Sequence, residues 1–96
     1  MNHAEAVVLE QQCHDAFSTE EAEEVFAESV WSDLVAGWWV AKIGDPSLAH
    51  SLGYLAVDVF NNEYTLSMCT TDKEKGIWER LVASKRQEII SRLEGG

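Results

Sequence analysis

The feature that most constrains the fold of this chain is a run of apolar residues at four-residue spacing: Ala22, Phe26, Val30 and Leu34. Residues four apart lie on one face of an α-helix, so the spacing predicts an amphipathic helix. Ser18 precedes the run, and Glu21 follows Ser18 by three residues. This pair matches the capping box that marks the start of a helix.

Two further helices are predicted near the ends of the chain. Residues 3–17 are good helix formers and indicate a short first helix. Towards the other end, Thr71 and Glu74 repeat the capping-box pattern, and Gly95 suits the position after a helix end. The apolar stripe of this long C-terminal helix consists of Ile77, Trp78, Leu81, Val82, Ile89, Ile90 and Leu93.

The middle of the chain has the pattern of a β-hairpin. Residues 54–60 and 63–69 flank Asn61-Asn62, a pair that tolerates the positive φ angles of a tight two-residue turn. Pairing the two segments across that turn places six apolar side chains on one face. They are Leu55, Val57, Val59, Tyr64, Leu66 and Met68.

Residues 38–43 admit two interpretations. They are rich in aromatic and β-branched side chains, which favours a third strand, but they could also continue the preceding helix to a glycine cap at Gly44. We take the strand interpretation. The predicted fold class is then α+β: a single domain of residues 1–96 with two N-terminal helices and a small antiparallel sheet, on whose apolar face the long C-terminal helix packs.

The charge of the chain is strongly asymmetric. The formal net charge is −10, and residues 1–63 hold twelve acidic residues but only one basic residue, Lys42. Direct binding to nucleic acid requires cations that displace counterions from phosphates, and an anionic membrane would repel this surface. Neither is therefore expected. The partner that suits such a charge is a basic protein, of the kind that otherwise binds nucleic acid.

No arrangement of residues predicts an enzyme, a metal site or a cofactor. Cys13 and His14 are adjacent, so on a helix they point about 100° apart. His50 has no second ligand at metal-binding spacing, and the six glycines form no phosphate-binding loop. Two distant cysteines and the absence of a secretory pattern at Met1 favour a reducing cytoplasmic location.

Acidic residues and tryptophans are the candidate partner-binding residues. Like charges at four-residue spacing repel by about 0.2–0.5 kcal/mol per pair, and a helix cap explains only the first turn of such a run. The run can therefore imitate the phosphates of nucleic acid, although an acidic surface kept for solubility is the alternative. Of two adjacent tryptophans in a strand, one faces outward and suits an interface anchor, unless both fill the core. The candidates are Glu20, Glu21, Glu24, Glu28, Asp33, Trp38 and Trp39.

These features favour an acidic inhibitor that masks the nucleic-acid-binding surface of a target protein. In size and charge the chain resembles anti-CRISPR proteins and DNA mimics of phages and mobile elements, although no motif identifies such a family. Two alternatives stay open. One is an immunity protein or antitoxin that neutralises a nuclease toxin. The other is a structural adaptor that forms a homodimer through the basic C-terminal helix and the acidic N-terminal part.

Overall fold

The described part of the structure is entirely α-helical in its regular elements. A computed structural model describes residues 1–17 and 28–95, and these residues form four helices without a β-strand. The helices are α1 (His3–Phe17), α2 (Glu28–Ile43), α3 (Pro46–Ser67) and α4 (Asp72–Leu93). The predicted α+β class is therefore wrong, and the fold of the described residues is all-α.

The predicted hairpin of residues 54–60 and 63–69 lies within and just beyond the single helix α3. This helix begins at Asp45, whose Oδ1 accepts hydrogen bonds from the backbone N–H groups of Ser47 (3.1 Å) and Leu48 (3.2 Å). Pro46 takes the first helical position, where its missing N–H removes no helical bond. Asn61 and Asn62 lie inside the helix rather than in a turn.

The burial of α3 explains why its residues imitate a strand. The helix packs against α2 on one side and α4 on the other, so apolar residues are needed around most of its circumference. The helical period is still present at Ala49, Leu52, Gly53, Ala56 and Phe60. The further buried residues at 55, 57 and 59 add the two-residue alternation of a strand. The buried residues of α3 are Ala49, Leu52, Gly53, Leu55, Ala56, Val57, Val59 and Phe60.

The segment 38–43 is likewise helical. It forms the end of α2, and Gly44 follows with a φ of 74° and donates its N–H to the carbonyl of Val40 at 2.9 Å. The strand prediction is therefore wrong, and the alternative of a helix that ends at Gly44 is confirmed. Glycine suits this position because the left-handed conformation is strained for residues with a Cβ atom.

The predicted ends of α1 and α4 are confirmed. Helix α1 covers residues 3–17, and α4 begins after Thr71, whose Oγ1 accepts the N–H of Glu74 at 3.2 Å. Gly95 has a φ of 100° just beyond the end of α4. Helix α4 packs on α3, however, not on a sheet. The predicted cap at Ser18 with Glu21 lies outside the described residues.

The core-facing side of α2 differs from the predicted apolar stripe. Val30 and Leu34 are exposed, with 47% and 46% of their surfaces accessible to solvent, while Trp31, Val35 and Trp39 are buried. The Trp31 ring stacks on Phe60 of α3 with 5.0 Å between centroids. The helix predicted around Val30 and Leu34 is confirmed, but these two residues face solvent, and α2 carries apolar residues on both its inner and outer faces.

Helices α2 and α3 lie close together at Gly53. A Cβ atom placed on Gly53 would lie 2.7 Å from the backbone oxygen of Ser32 and 3.0 Å from the Cβ of Ala36. Real Cβ atoms essentially never come within 3.0 Å of another heavy atom, so the contact with the Ser32 backbone would force the two helices apart. Glycine at this position therefore sets the distance between α2 and α3.

Replacing Gly53 with alanine is expected to destabilise the protein by about 1–3 kcal/mol, because the added methyl group overpacks the interface between helices. Chemical denaturation followed by circular dichroism measures the change. Gly37→Ala is the matched control, since Gly37 also lies within a helix but has no atom within 4 Å of an added Cβ. That variant should gain roughly 0.5–1 kcal/mol from helix propensity. A gain in both variants would show that the contact at Gly53 relaxes freely.

Candidate functional site

The structure places only part of the predicted acidic surface. Glu20, Glu21 and Glu24 lie outside the described residues. Glu28 is the first residue of α2, and its side chain is also outside the described part. Asp33 is exposed on α2, one turn from the exposed Val30 and beside Leu34.

The two adjacent tryptophans have different environments. Trp39 has no exposed surface and belongs to the core, so it cannot act as a surface anchor in this conformation. Trp38 is half-buried, meets Phe17 of α1 edge-on at 6.4 Å, and carries the Lys42 ammonium 5.3 Å from its ring centroid. Of the predicted aromatic anchors, only Trp38 has surface that a partner could contact.

A buried ion pair between α1 and α4 was missed by the sequence analysis. Glu10 is only 5% exposed. Arg86 donates two hydrogen bonds to its carboxylate, from Nε to Oε1 at 2.7 Å and from Nη2 to Oε2 at 3.0 Å. Arg86 Nη2 also donates to Oε1 of Gln11 at 2.9 Å. The hydrogen bond with Glu10 raises the pKa of Arg86 above its ordinary value, so this cation stays charged.

Two histidines add further links from α1 to the rest of the fold. His14 Nε2 lies 2.6 Å from Oε1 of Glu63 on α3, and the His14 ring packs 5.9 Å from the ring of Phe60. At the start of α1, His3 forms a short contact with the Glu94 carboxylate, just after α4. The contacts of residues 3 and 10 with residues 94 and 86 show that α1 runs antiparallel to α4.

Cys13 is buried beside the polar cluster, which consists of Glu10, Gln11, His14, Glu63 and Arg86. The pKa of the Cys13 thiol is raised to about 12. Burial is the main cause, and the nearby Glu10 carboxylate contributes to the rise. The Trp39 indole lowers the pKa of the thiol, and its effect is the smallest of the three. The thiol therefore stays protonated at neutral pH, and the thiolate is the reactive form of cysteine.

A narrow pocket between the four helices borders Glu10, Cys13 and Trp39. Its volume of about 10 Å³ is near the lower limit for a single water molecule. Such a space does not admit a metabolite. Within residues 1–17 and 28–95, no three side chains are arranged to hold a metal ion. We interpret the polar cluster as a structural contact that holds α1 against α3 and α4.

One sequence signal could have revealed this cluster. Glu10 falls between Ala6 and Cys13 on the inward face of α1, and Arg86 interrupts the apolar stripe of α4. A single carboxylate and a single cation on two otherwise apolar faces suggest a pair, because buried charges need a partner. The sequence alone, however, does not say that α1 and α4 are neighbours.

No protein-family model matches the chain, and no match was found among curated proteins or solved structures. None of the described helices is long and apolar enough to cross a membrane. The function is therefore argued from the charge and the surface of the chain itself.

Proposed function

We propose that this chain is an acidic inhibitor that acts in the cytoplasm and masks the nucleic-acid-binding surface of a basic target protein. The observation that carries the proposal is the charge distribution: twelve of the seventeen carboxylates, but only one of the seven cations, lie in residues 1–63. A surface of this kind attracts a basic protein over a distance and orients it before contact.

The environment of the cations supports the same proposal. Lys85, Arg86 and Arg92 form ion pairs with the carboxylates of Asp58, Glu10 and Glu88. Lys42, the single cation of the N-terminal two-thirds, lies over the Trp38 ring. Asp33, an exposed carboxylate of α2, forms no ion pair with the described cations.

The outer face of α2 offers apolar contact beside the negative charge. Val30, Asp33 and Leu34 lie at relative positions i, i+3 and i+4, so they share one side of the helix, and all three are exposed. Partner interfaces commonly combine a small apolar centre with charged surroundings. In the proposed mechanism, the carboxylates steer the basic target and the apolar residues hold it after docking.

The proposal predicts binding that weakens steeply with salt. A tagged chain should capture a basic nucleic-acid-binding protein from nuclease-treated bacterial lysate at about 50 mM salt but not at about 500 mM, because the Debye length shrinks with ionic strength. Added double-stranded DNA should displace the captured protein. Capture that is unchanged by salt and by DNA would contradict masking by charge imitation.

Two variants with the same net charge test the role of the α2 face. Asp33→Lys should weaken binding of the captured protein about tenfold or more, since a like charge replaces an attractive one at the contact. Glu79→Lys changes the net charge equally on an exposed position of α4 and should have a smaller effect. Equal weakening would mean that total charge, rather than the α2 face, governs binding.

A further inference from the structure

One side of α4, next to its buried face, carries large apolar side chains that the described part of the chain covers only in part. Ile77 and Leu81 are one turn apart and remain 42% and 40% exposed, and Trp78 beside them is only half-buried. The other large aliphatic residues of α4, at positions 89, 90 and 93, are buried, so the exposed apolar surface of this helix lies along its first half.

The spacing along this side is that of helix pairing. Glu74, Trp78, Leu81, Lys85 and Glu88 follow one another at intervals of four, three, four and three residues. This alternation keeps them in one strip that can face a second helix over about four turns. The strip has an apolar centre and a carboxylate at each end, and the cation Lys85 lies between the centre and Glu88.

The local charge decides which partner suits this strip. Residues 72–81 hold three cations and three carboxylates, whereas the whole chain carries a net charge of −10. Two copies of the chain repel each other over most of their surfaces, and this repulsion is smallest where the charge is balanced. In a symmetric contact, where a patch meets its own copy, the first half of α4 therefore brings no net like charge together.

We propose that a second copy of this chain binds the strip and that the two α4 helices pair antiparallel about a two-fold axis. The axis passes between positions 79 and 80. In that register Leu81 of each copy lies against Trp78 of the other, and Glu74 of each lies near Lys85 of the other. The interface is therefore isologous, with the same patch used twice.

Lys85 is available for this contact. Its ammonium lies 3.9 Å from the Asp58 carboxylate, at the outer limit of an ion pair, and both side chains are substantially exposed. Exposed pairs of this kind contribute little to stability, so Lys85 can reorient at small cost. An ion pair between Lys85 and Glu74 of the second copy would then form on each side of the apolar centre.

Sedimentation equilibrium of the full chain tests the proposal directly. We expect a monomer–dimer equilibrium with a dissociation constant of about 10–100 µM, since an interface formed by one helix from each copy is small. Leu81→Glu should weaken the dimer at least about tenfold. The matched control is Leu34→Glu, which makes the same chemical change at a similarly exposed leucine on α2 and should leave the constant within about twofold.

Several results would overturn the proposal. One is a chain that stays monomeric up to about 500 µM, a concentration at which the expected constant gives mostly dimer. Another is equal weakening by Leu81→Glu and Leu34→Glu, which would indicate general charge repulsion. A third is loss of the dimer only in Leu34→Glu, which would move the interface to α2. Circular dichroism confirms that each variant is folded before the comparison is made.

A charge exchange tests the register independently. Glu74→Lys and Lys85→Glu should each weaken the dimer several-fold, because each places like charges near one another twice in the symmetric pair. The double variant should recover the affinity of the natural chain. If the two effects simply add, the residues do not meet across the interface. Because neither variant alters α2, this result does not depend on the proposed masking function.

Discussion

Replacing Arg86 with leucine is expected to lower the free energy of unfolding by about 3–5 kcal/mol, the cost of leaving a buried charge without its partner. The Glu10 carboxylate is almost fully buried and depends on both hydrogen bonds from Arg86. Without the guanidinium, the charge must be hydrated by opening α1 or remain uncompensated. Urea denaturation monitored by circular dichroism measures the loss.

The same helix supplies a control for this prediction. Arg92 also pairs with a glutamate, Glu88, at an Nη2–Oε1 distance of 3.0 Å, but both side chains are substantially exposed. Arg92→Leu should cost only about 0.3–0.5 kcal/mol, as exposed pairs four residues apart typically do. Similar small losses in both variants would show that water reaches Glu10 and that its ion pair is no stronger than a surface contact.

Removing both charges together sharpens the interpretation. The double variant Glu10→Leu with Arg86→Leu should recover much of the stability lost in Arg86→Leu, because an apolar pair of similar size incurs no desolvation cost. Recovery would assign the loss to the stranded carboxylate. If the double variant is as unstable as the single one, the geometry of the Arg86 side chain, rather than its charge, holds α1 in place.

The helix ends could be predicted because their signals are local. The cap at Thr71 and the glycines at positions 44 and 95 depend on backbone geometry within a few residues, and the structure places each of them at a helix end. The cap formed by Asp45 with Pro46 is equally local, but it is absent from the predicted elements. Recognising it would have favoured a helix through residues 46–67.

The fold class was predicted wrongly because it depends on neighbours. Helix α3 packs against two neighbours and carries extra apolar residues, whose two-residue alternation imitates a strand alongside its helical period. The same limitation applies to α2, where exposed Val30 and Leu34 have the spacing of a core stripe. Periodicity shows which residues share a face but does not show which face is buried.

The same difference between local and long-range features applies to the site residues. The Glu10–Arg86 pair joins residues 76 positions apart, so no local pattern connects them. The acidic surface, in contrast, follows from composition and stays a prediction for Glu20, Glu21 and Glu24, which lie outside the described residues.

Trp39→Ala is expected to destabilise the fold by about 3–5 kcal/mol, because it removes the largest fully buried side chain of the core. Trp39 shares a pocket lining with Cys13 of α1, Phe60 of α3 and Ile89 of α4. One side chain of α2 thus contacts the region where all four described helices meet. Thermal and urea denaturation should both show the loss.

The adjacent Trp38 provides the comparison that separates core from surface. Trp38→Ala removes an equal volume from the same helix, but the side chain is half-buried, so the stability loss should be clearly smaller. Trp38→Ala should cause a larger loss of partner binding than Trp39→Ala when each variant is measured below its melting temperature. A larger loss of stability in Trp38→Ala would mean that the inner face of α2 is the one that carries Trp38. The orientation of α2 on α3, and with it the outward placement of Val30, Asp33 and Leu34, would then have to be revised.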